Sequence, residues 1–484
     1  MLEYENPILF SDYSDPDVIK VGEDYFMVSS SFNFSPGVPV LHSKNLVEWR
    51  FIGYVLNQLP FERYNKVQSG CGVWAPSIRY HKGYFYCVMP FPDEGIYVSR
   101  TKNPYTGWEK PYLLIKEKGF IDPCPIWTEN GAFLVFAFAK SRVGFNSKIA
   151  VIKVSENLDK PLEENYRVVY DGTNNNPTIE GPKIYKKGDY FYILAPAGGV
   201  KTGWQVALKS KNIYGPYESK IVLMQGDTSV NGPHQGGLVE SENGDYFIHF
   251  QHVEGYGRIV HLQPVSWHFD FPIMGKVSDE RLAGTPKKTA PYPKNEKTNY
   301  KIQTCFNFLK GEFLTWQTPA NMQKEWFSFE KGLKLKGLSN ENLLSYPAIF
   351  SQKIAFENFK AETKLHLNLV GNGSSGITVF GKTYGAIYCQ KKGKKYFANY
   401  VIFNGEGERI VESVEISQSV SLCVIGKRKP NGSLEITFKA NEKKFKTKFV
   451  ATDGRWVGGR IGIFVKGEKS FATFEYFNQK PIKK

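Results

Sequence analysis

Apolar and polar positions alternate in short runs along this chain, and turn residues punctuate the runs. The stretch SDPDVIKVGEDYFMVSSSF, from Ser14, sets the pattern: a polar residue before proline, a short apolar strand, a glycine turn, then an aromatic strand. It returns as WAPSIRYHKGYFYCVMPF from Trp74, IDPCPIWTENGAFLVFAFA from Ile121, IEGPKIYKKGDYFYILAPA from Ile179 and NGPHQGGLVESENGDYFIHFQH from Asn231. Pro16, Pro76, Pro123, Pro182 and Pro233 mark the copies, 60, 47, 59 and 51 residues apart. Each hairpin is followed by further extended sequence, such as GIYVSRTKNPYTGWE, which brings a copy to about four strands. One such sheet cannot bury both faces until neighbours stack on it, so repeats of this kind predict propeller blades. The prediction is an all-β chain whose residues 1–284 form a five-bladed β-propeller. No helical periodicity competes with it, which disfavours a doubly wound α/β fold.

The pattern breaks at GTPKKTAPYPKNEKTN, residues 284–299, where Pro, Lys and Asn cluster without apolar periodicity. This predicts a linker at 285–299. Alternation resumes beyond it in FKAETKLHLNLV, SSGITVFG, SLEITFKA, RIGIFVKG and FATFEYF, separated by Gly and Asn turns. Residues 300–484 are therefore expected to form an antiparallel β-sandwich of lectin-like, jelly-roll type.

Composition changes this picture little. The chain has 484 residues, 41% hydrophobic and 15% aromatic, which suits a folded two-domain protein. The net charge of +15 invites a nucleic-acid reading, but residues 1–295 carry 31 Lys+Arg and 31 Asp+Glu, so the whole excess lies beyond them. There the lysines alternate with aromatics, as on a solvated strand face, and no nucleic-acid partner is expected. Six scattered cysteines form no Cys-x-x-Cys pair and read as reduced thiols. No run of eighteen apolar residues exists, so no membrane partner is expected either. The start MLEYENPILF lacks a basic and an apolar leader region. A full-length chain would then be cytoplasmic, and a chain trimmed of a signal would be secreted or periplasmic.

The blades supply the chemistry. In a propeller the first strand of each blade lines the central channel, and the residues before those strands face one mouth. Asp15, Trp74, Asp122, Glu180 and Asn231 hold that place. Three are acids, and crowding them costs repulsion and desolvation, so a cation site or acid/base catalysis is implied. Taken singly, an Asp before Pro is commonly a turn former. The alignment across repeats outweighs that reading. Asp12 and Asp17 flank Asp15, but Asp15 alone sits at the proline step. Trp74, Phe32 and Trp204 offer flat faces for sugar rings.

In order along residues 4–280, NPILFSDYSDPDVIKVGEDYFMVSSSF, GVWAPSIRY, GFIDPCPIW, TIEGPKIY and NGPHQGGLVE resemble glycoside hydrolase family 43. The resemblance implies an inverting, exo-acting enzyme that releases arabinofuranose or xylose from plant-wall glycans. It implies Asp15 as general base, Glu180 as general acid and Asp122 as the acid that orients Glu180 and raises its pKa. Arg258 and Gln235 are implied substrate contacts. No cofactor is required by the resemblance, although His234 matches a histidine associated with calcium or ordered water. Asp17 departs from the family, which often has a small residue there. Fructan-cleaving propellers would read Asn-Asp-Pro-x-Gly and Arg-Asp-Pro at the places held here by SDPD and IDPC, so fructan cleavage is disfavoured. TWQTPANMQKEWFSFEKGLKLKG resembles the start of the sandwich that accompanies such propellers, packs on them and can send a loop to the active-site rim. A non-catalytic sugar-binding propeller with a lectin-like sandwich is the alternative.

Overall fold

The computed structural model describes residues 2–277 and 282–482. The outer limits expected for the two domains, Met1 and Lys484, lie outside the described residues. Five blades follow one another in sequence, and four of them are plain four-stranded sheets with strands in chain order. Blade 1 runs through Asp17–Val21, Asp24–Val28, Gly37–Ser43 and Trp49–Leu56. The others open on Ser77–His81, Phe120–Thr128, Lys183–Lys187 and His234–Ser241. Blade 4 gains two short strands, Gly284–Thr285 and Lys276–Val277, at its outer edge. Middle strands such as Tyr190–Ala197 are buried almost throughout, because adjacent blades cover both faces. The N-terminal segment laces across blade 5: Leu9 bridges Val260, and Tyr4 donates its hydroxyl to Leu262 O at 2.8 Å.

Two sheets make the sandwich, one of nine strands and one of six. Phe359–Asn368 alternates buried and outward positions along its length, as a strand covering a core on one face must. The sandwich core takes in Phe34, Val253, Tyr256 and Ile259 from the propeller, so the two domains share apolar packing.

Residues 285–299, expected as a linker, are held on the propeller. Thr289–Pro291 pairs antiparallel with Glu3–Glu5, and Glu48 accepts hydrogen bonds from the Tyr292 hydroxyl at 2.7 Å and Thr298 N at 3.0 Å. One expectation is corrected: Asp122 lies within Phe120–Thr128, not ahead of it, at a register shift between Ile121 and Cys124. Pro123 has no N–H to give the ladder, and the strand bulges there. All six cysteines are free thiols.

Candidate active site

Asp15 and Asp122 occupy equivalent places in blades 1 and 3, and both are left-handed, with φ of +53° and +56°. A non-glycine residue there carries strain of about 1–2 kcal/mol. The strain is local and turns each carboxylate into the channel mouth. Asp15 accepts from Ser30 Oγ at 2.5 Å and from Arg258 Nη1 at 3.0 and 3.1 Å. Asp122 Oδ2 accepts from Gly181 N at 2.8 Å. Gly181 is left-handed, and a Cβ on it would meet the Gln235 side chain at 2.6 Å, so only glycine lets this amide reach Asp122. Glu180, the neighbour of that glycine, keeps 35% of its side chain open and points Oε1 to within 3.7 Å of His234 Nε2.

These groups line one cavity of about 280 Å³ with Phe32, Trp74, Gln235, Arg258 and Trp456. Burial, then the charges of Asp122 and Asp15, raise the pKa of Glu180, and Arg258 opposes them. Burial raises that of Asp122 as well, against the Gly181 N–H and Lys183. Each carboxyl disfavours ionisation of the other, so the pair holds a proton beyond the usual carboxylate range. His234 is buried, its pKa lowered to about 3 by desolvation and by Arg258, and it is neutral.

Of the residues expected at the site, Asp15, Asp122, Glu180, Trp74, Phe32, His234, Gln235 and Arg258 come together. Trp204 does not line the cavity. Its indole donates to Asn176 Oδ1 at 3.0 Å and its ring packs over Gly198. Asn231 is likewise absent from the cavity lining and accepts from Gln251 Nε2. Asp17 is buried away from the cavity, paired to Arg79 at 2.7 Å and to Ile78 N. Arg258, expected to reach substrate, spends its Nη1 on Asp15. The donor set around His234 does not match a calcium cage. Calcium takes roughly six to eight oxygen ligands, and no group of three or more His, Cys, Asp or Glu among the described residues could hold a metal. Both ring nitrogens of His234 lack a hydrogen-bond partner among the described residues.

Sequence reading missed four features. Ser30 follows an aromatic strand with nothing to single it out. Lys183 is fully buried and donates to Ser77 Oγ at 3.0 Å; a lysine at an inward strand position was its signal. The segment 139–146 contributes Lys140, Ser141 and Asn146 to the cavity wall. Trp456 comes from the sandwich, 6.3 Å from the Trp74 ring and nearly edge-on to it. Asp453 and Gly458 tie its segment to the propeller: Gly255 N donates to Asp453 Oδ1, and Gly458 N to Asp12 Oδ2, both at 2.9 Å.

Converging carboxylates with aromatic walls at the mouth of a five-bladed propeller define the class: a glycoside hydrolase. The chain belongs to glycosyl hydrolases family 43, whose model matches residues 4–271, and a beta xylosidase C-terminal concanavalin A-like domain matches residues 312–480. It is 34% identical over 472 residues to a protein of Xylanibacter ruminicola named "Putative beta-xylosidase", covering 95% of this chain and 85% of that one. A non-reducing end alpha-L-arabinofuranosidase of Bacteroides ovatus is 27% identical over 412 residues, 78% of this chain and 73% of its own. In fold it is similar to a xylan beta-1,4-xylosidase from Bacillus halodurans C-125, with a TM-score of 0.85 at 22% identity over 98% of this chain and 99% of that one.

Proposed function

We propose that this chain is an exo-acting, inverting glycosidase that removes terminal xylose or arabinofuranose from arabinoxylan-type glycans or their oligosaccharides. The convergence of Asp15, Asp122 and Glu180 on one small cavity carries this reading. A cavity of that size, with Trp456 of the sandwich in its wall, suits a chain end better than a polymer running through. Glu180 keeps its proton and gives it to the leaving oxygen. Asp15, held by Ser30 and Arg258, takes a proton from the water that attacks the anomeric carbon on the opposite face. Asp122 fixes the Gly181 amide beside Glu180, and its charge helps Glu180 stay protonated. Relatives named for xylose and for arabinofuranose release support the substrate class.

The test is turnover of 4-nitrophenyl β-xyloside and 4-nitrophenyl α-arabinofuranoside, with the product followed by NMR. The xyloside is expected to give the α anomer of xylose first. The β anomer first would mean a covalent intermediate and would remove the inverting mechanism. Turnover of neither pentoside would remove the substrate assignment.

A further inference from the structure

Propeller and sandwich enclose a second cavity of about 270 Å³, walled in part by the same segment that carries Trp456. Phe34 and Val67 of the propeller and Leu343, Phe380 and Val457 of the sandwich give it apolar walls. Three cations line it, Arg460, Arg455 and Lys382, and no carboxylate does. Arg460 is only 3% exposed. Its Nε donates to Ser351 Oγ at 3.0 Å and its Nη2 to Gln317 Oε1 at 2.8 Å, both neutral acceptors. Its guanidinium carbon sits 4.1 Å from the centre of the Phe34 ring.

Among the described residues Arg460 makes no ion pair, and Nη1 donates to no group. Asp12 acts on it at longer range, but the carboxylate of Asp12 is taken up by Arg258 N, Gly458 N and Ser14 Oγ. Desolvation lowers the pKa of Arg460 to about 10, which leaves it charged at neutral pH. A buried guanidinium without a carboxylate is the unusual case, because desolvation is normally offset by a paired anion.

We propose that this cavity binds a small organic carboxylate with an aromatic or branched apolar body, the carboxylate on Arg460 and the body against Phe34, Leu343 and Phe380. A planar guanidinium with an unused N–H edge suits a carboxylate. An inorganic oxyanion would leave the apolar walls uncovered. A sugar would find too few polar groups, since Asn33 and Ser69 are the neutral polar side chains of the lining. An occupant abuts residues 454–458, the backbone that places Trp456.

Calorimetric titration of the full chain with benzoate tests this, with benzamide as the uncharged analogue and acetate as the carboxylate without a ring. Benzoate is expected to saturate at one per chain, with benzamide and acetate at least about tenfold weaker. Arg460→Gln is expected to abolish binding. Because Arg460 also supports Ser351 and Gln317, Val67→Trp is the companion variant: it fills the cavity from a loop and leaves the catalytic cavity intact. It is expected to turn over aryl pentosides normally and to lose benzoate. Absence of saturable benzoate binding, equal binding of benzamide, or full retention of binding in Val67→Trp would each overturn the proposal.

Discussion

As the proposed general acid, Glu180 must be buried enough to keep a proton and open enough to give it away, and its side chain is 35% open while burial raises its pKa. Removing it by Glu180→Ala is expected to slow natural linkages by roughly 10²–10⁴. Aryl glycosides with acidic phenols, which need little protonation, are expected to suffer far less. Equal loss on both substrates, measured as kcat/KM, would take the acid role away from Glu180. Asp122 raises the pKa of Glu180 through its charge. In Asp122→Asn the basic limb of the pH profile is therefore expected to move to lower pH; an unmoved limb would confine Asp122 to positioning. The same shifts bear on stability. A carboxyl whose pKa is higher folded than unfolded binds its proton more tightly when folded, favours folding at low pH, and loses that contribution as pH rises through its folded pKa. Glu180→Gln is thus expected to melt at a higher temperature than the wild type at pH 8. The gap should close near pH 4, around and below the unperturbed glutamate value of about 4.3. A lower melting temperature at pH 8 would show that Glu180 is not strained by its site.

At the scale of elements, the blade hairpins were legible because each repeats proline, strand, glycine turn and aromatic strand. The places of Asp15, Asp122 and Glu180 followed from that register. The bulge at Asp122 was not legible, since nothing in IDPCP says that the ladder resumes with a left-handed residue inside it. Trp204 was misplaced because an aromatic beside a glycine reads the same whether it faces sugar or donates to a buried Asn176. The sandwich strand Glu408–Ile416 escaped notice because it is an outer strand with little burial and hence no clean alternation. Trp456 was invisible for a different reason: it reaches the cavity wall on a segment pinned to another domain. That segment gives a prediction of its own. Trp456 is 45% exposed, so Trp456→Ala should fold normally. Loss of one aromatic wall is expected to raise KM by about fivefold, at the scale of roughly 1 kcal/mol for such a contact, with a smaller change in kcat. An unchanged KM would mean that the sandwich supplies no contact to the substrate.

For the whole molecule, the sequence separates two patterns, the resemblance implies that the sandwich packs on the propeller, and the structure shows which residues join them. Phe34, Val253, Tyr256 and Ile259 of the propeller sit in the sandwich core, and Lys353 of the sandwich donates to the backbone oxygen of Asp12, three residues from Asp15. Burial lowers the pKa of Lys353 to about 7, which places that amine well inside the joint. Such contacts are unreadable from either pattern alone, because an apolar residue in a loop looks the same whether it faces its own domain or the next. They carry a thermodynamic consequence. If the shared core couples the domains, neither can unfold without exposing apolar surface of the other, and heating should give one cooperative transition. Scanning calorimetry is then expected to show a single peak whose calorimetric and van't Hoff enthalpies agree. Tyr256→Ala should lower that peak as a whole, because the ring is fully buried in the sandwich core and its hydroxyl donates to Glu357 O at 2.6 Å. Two resolved peaks in the wild type, with only one moved by Tyr256→Ala, would show that the shared core does not join the domains thermodynamically. In that case the placement of Trp456 would rest on local ties such as the hydrogen bonds of Asp453 and Gly458.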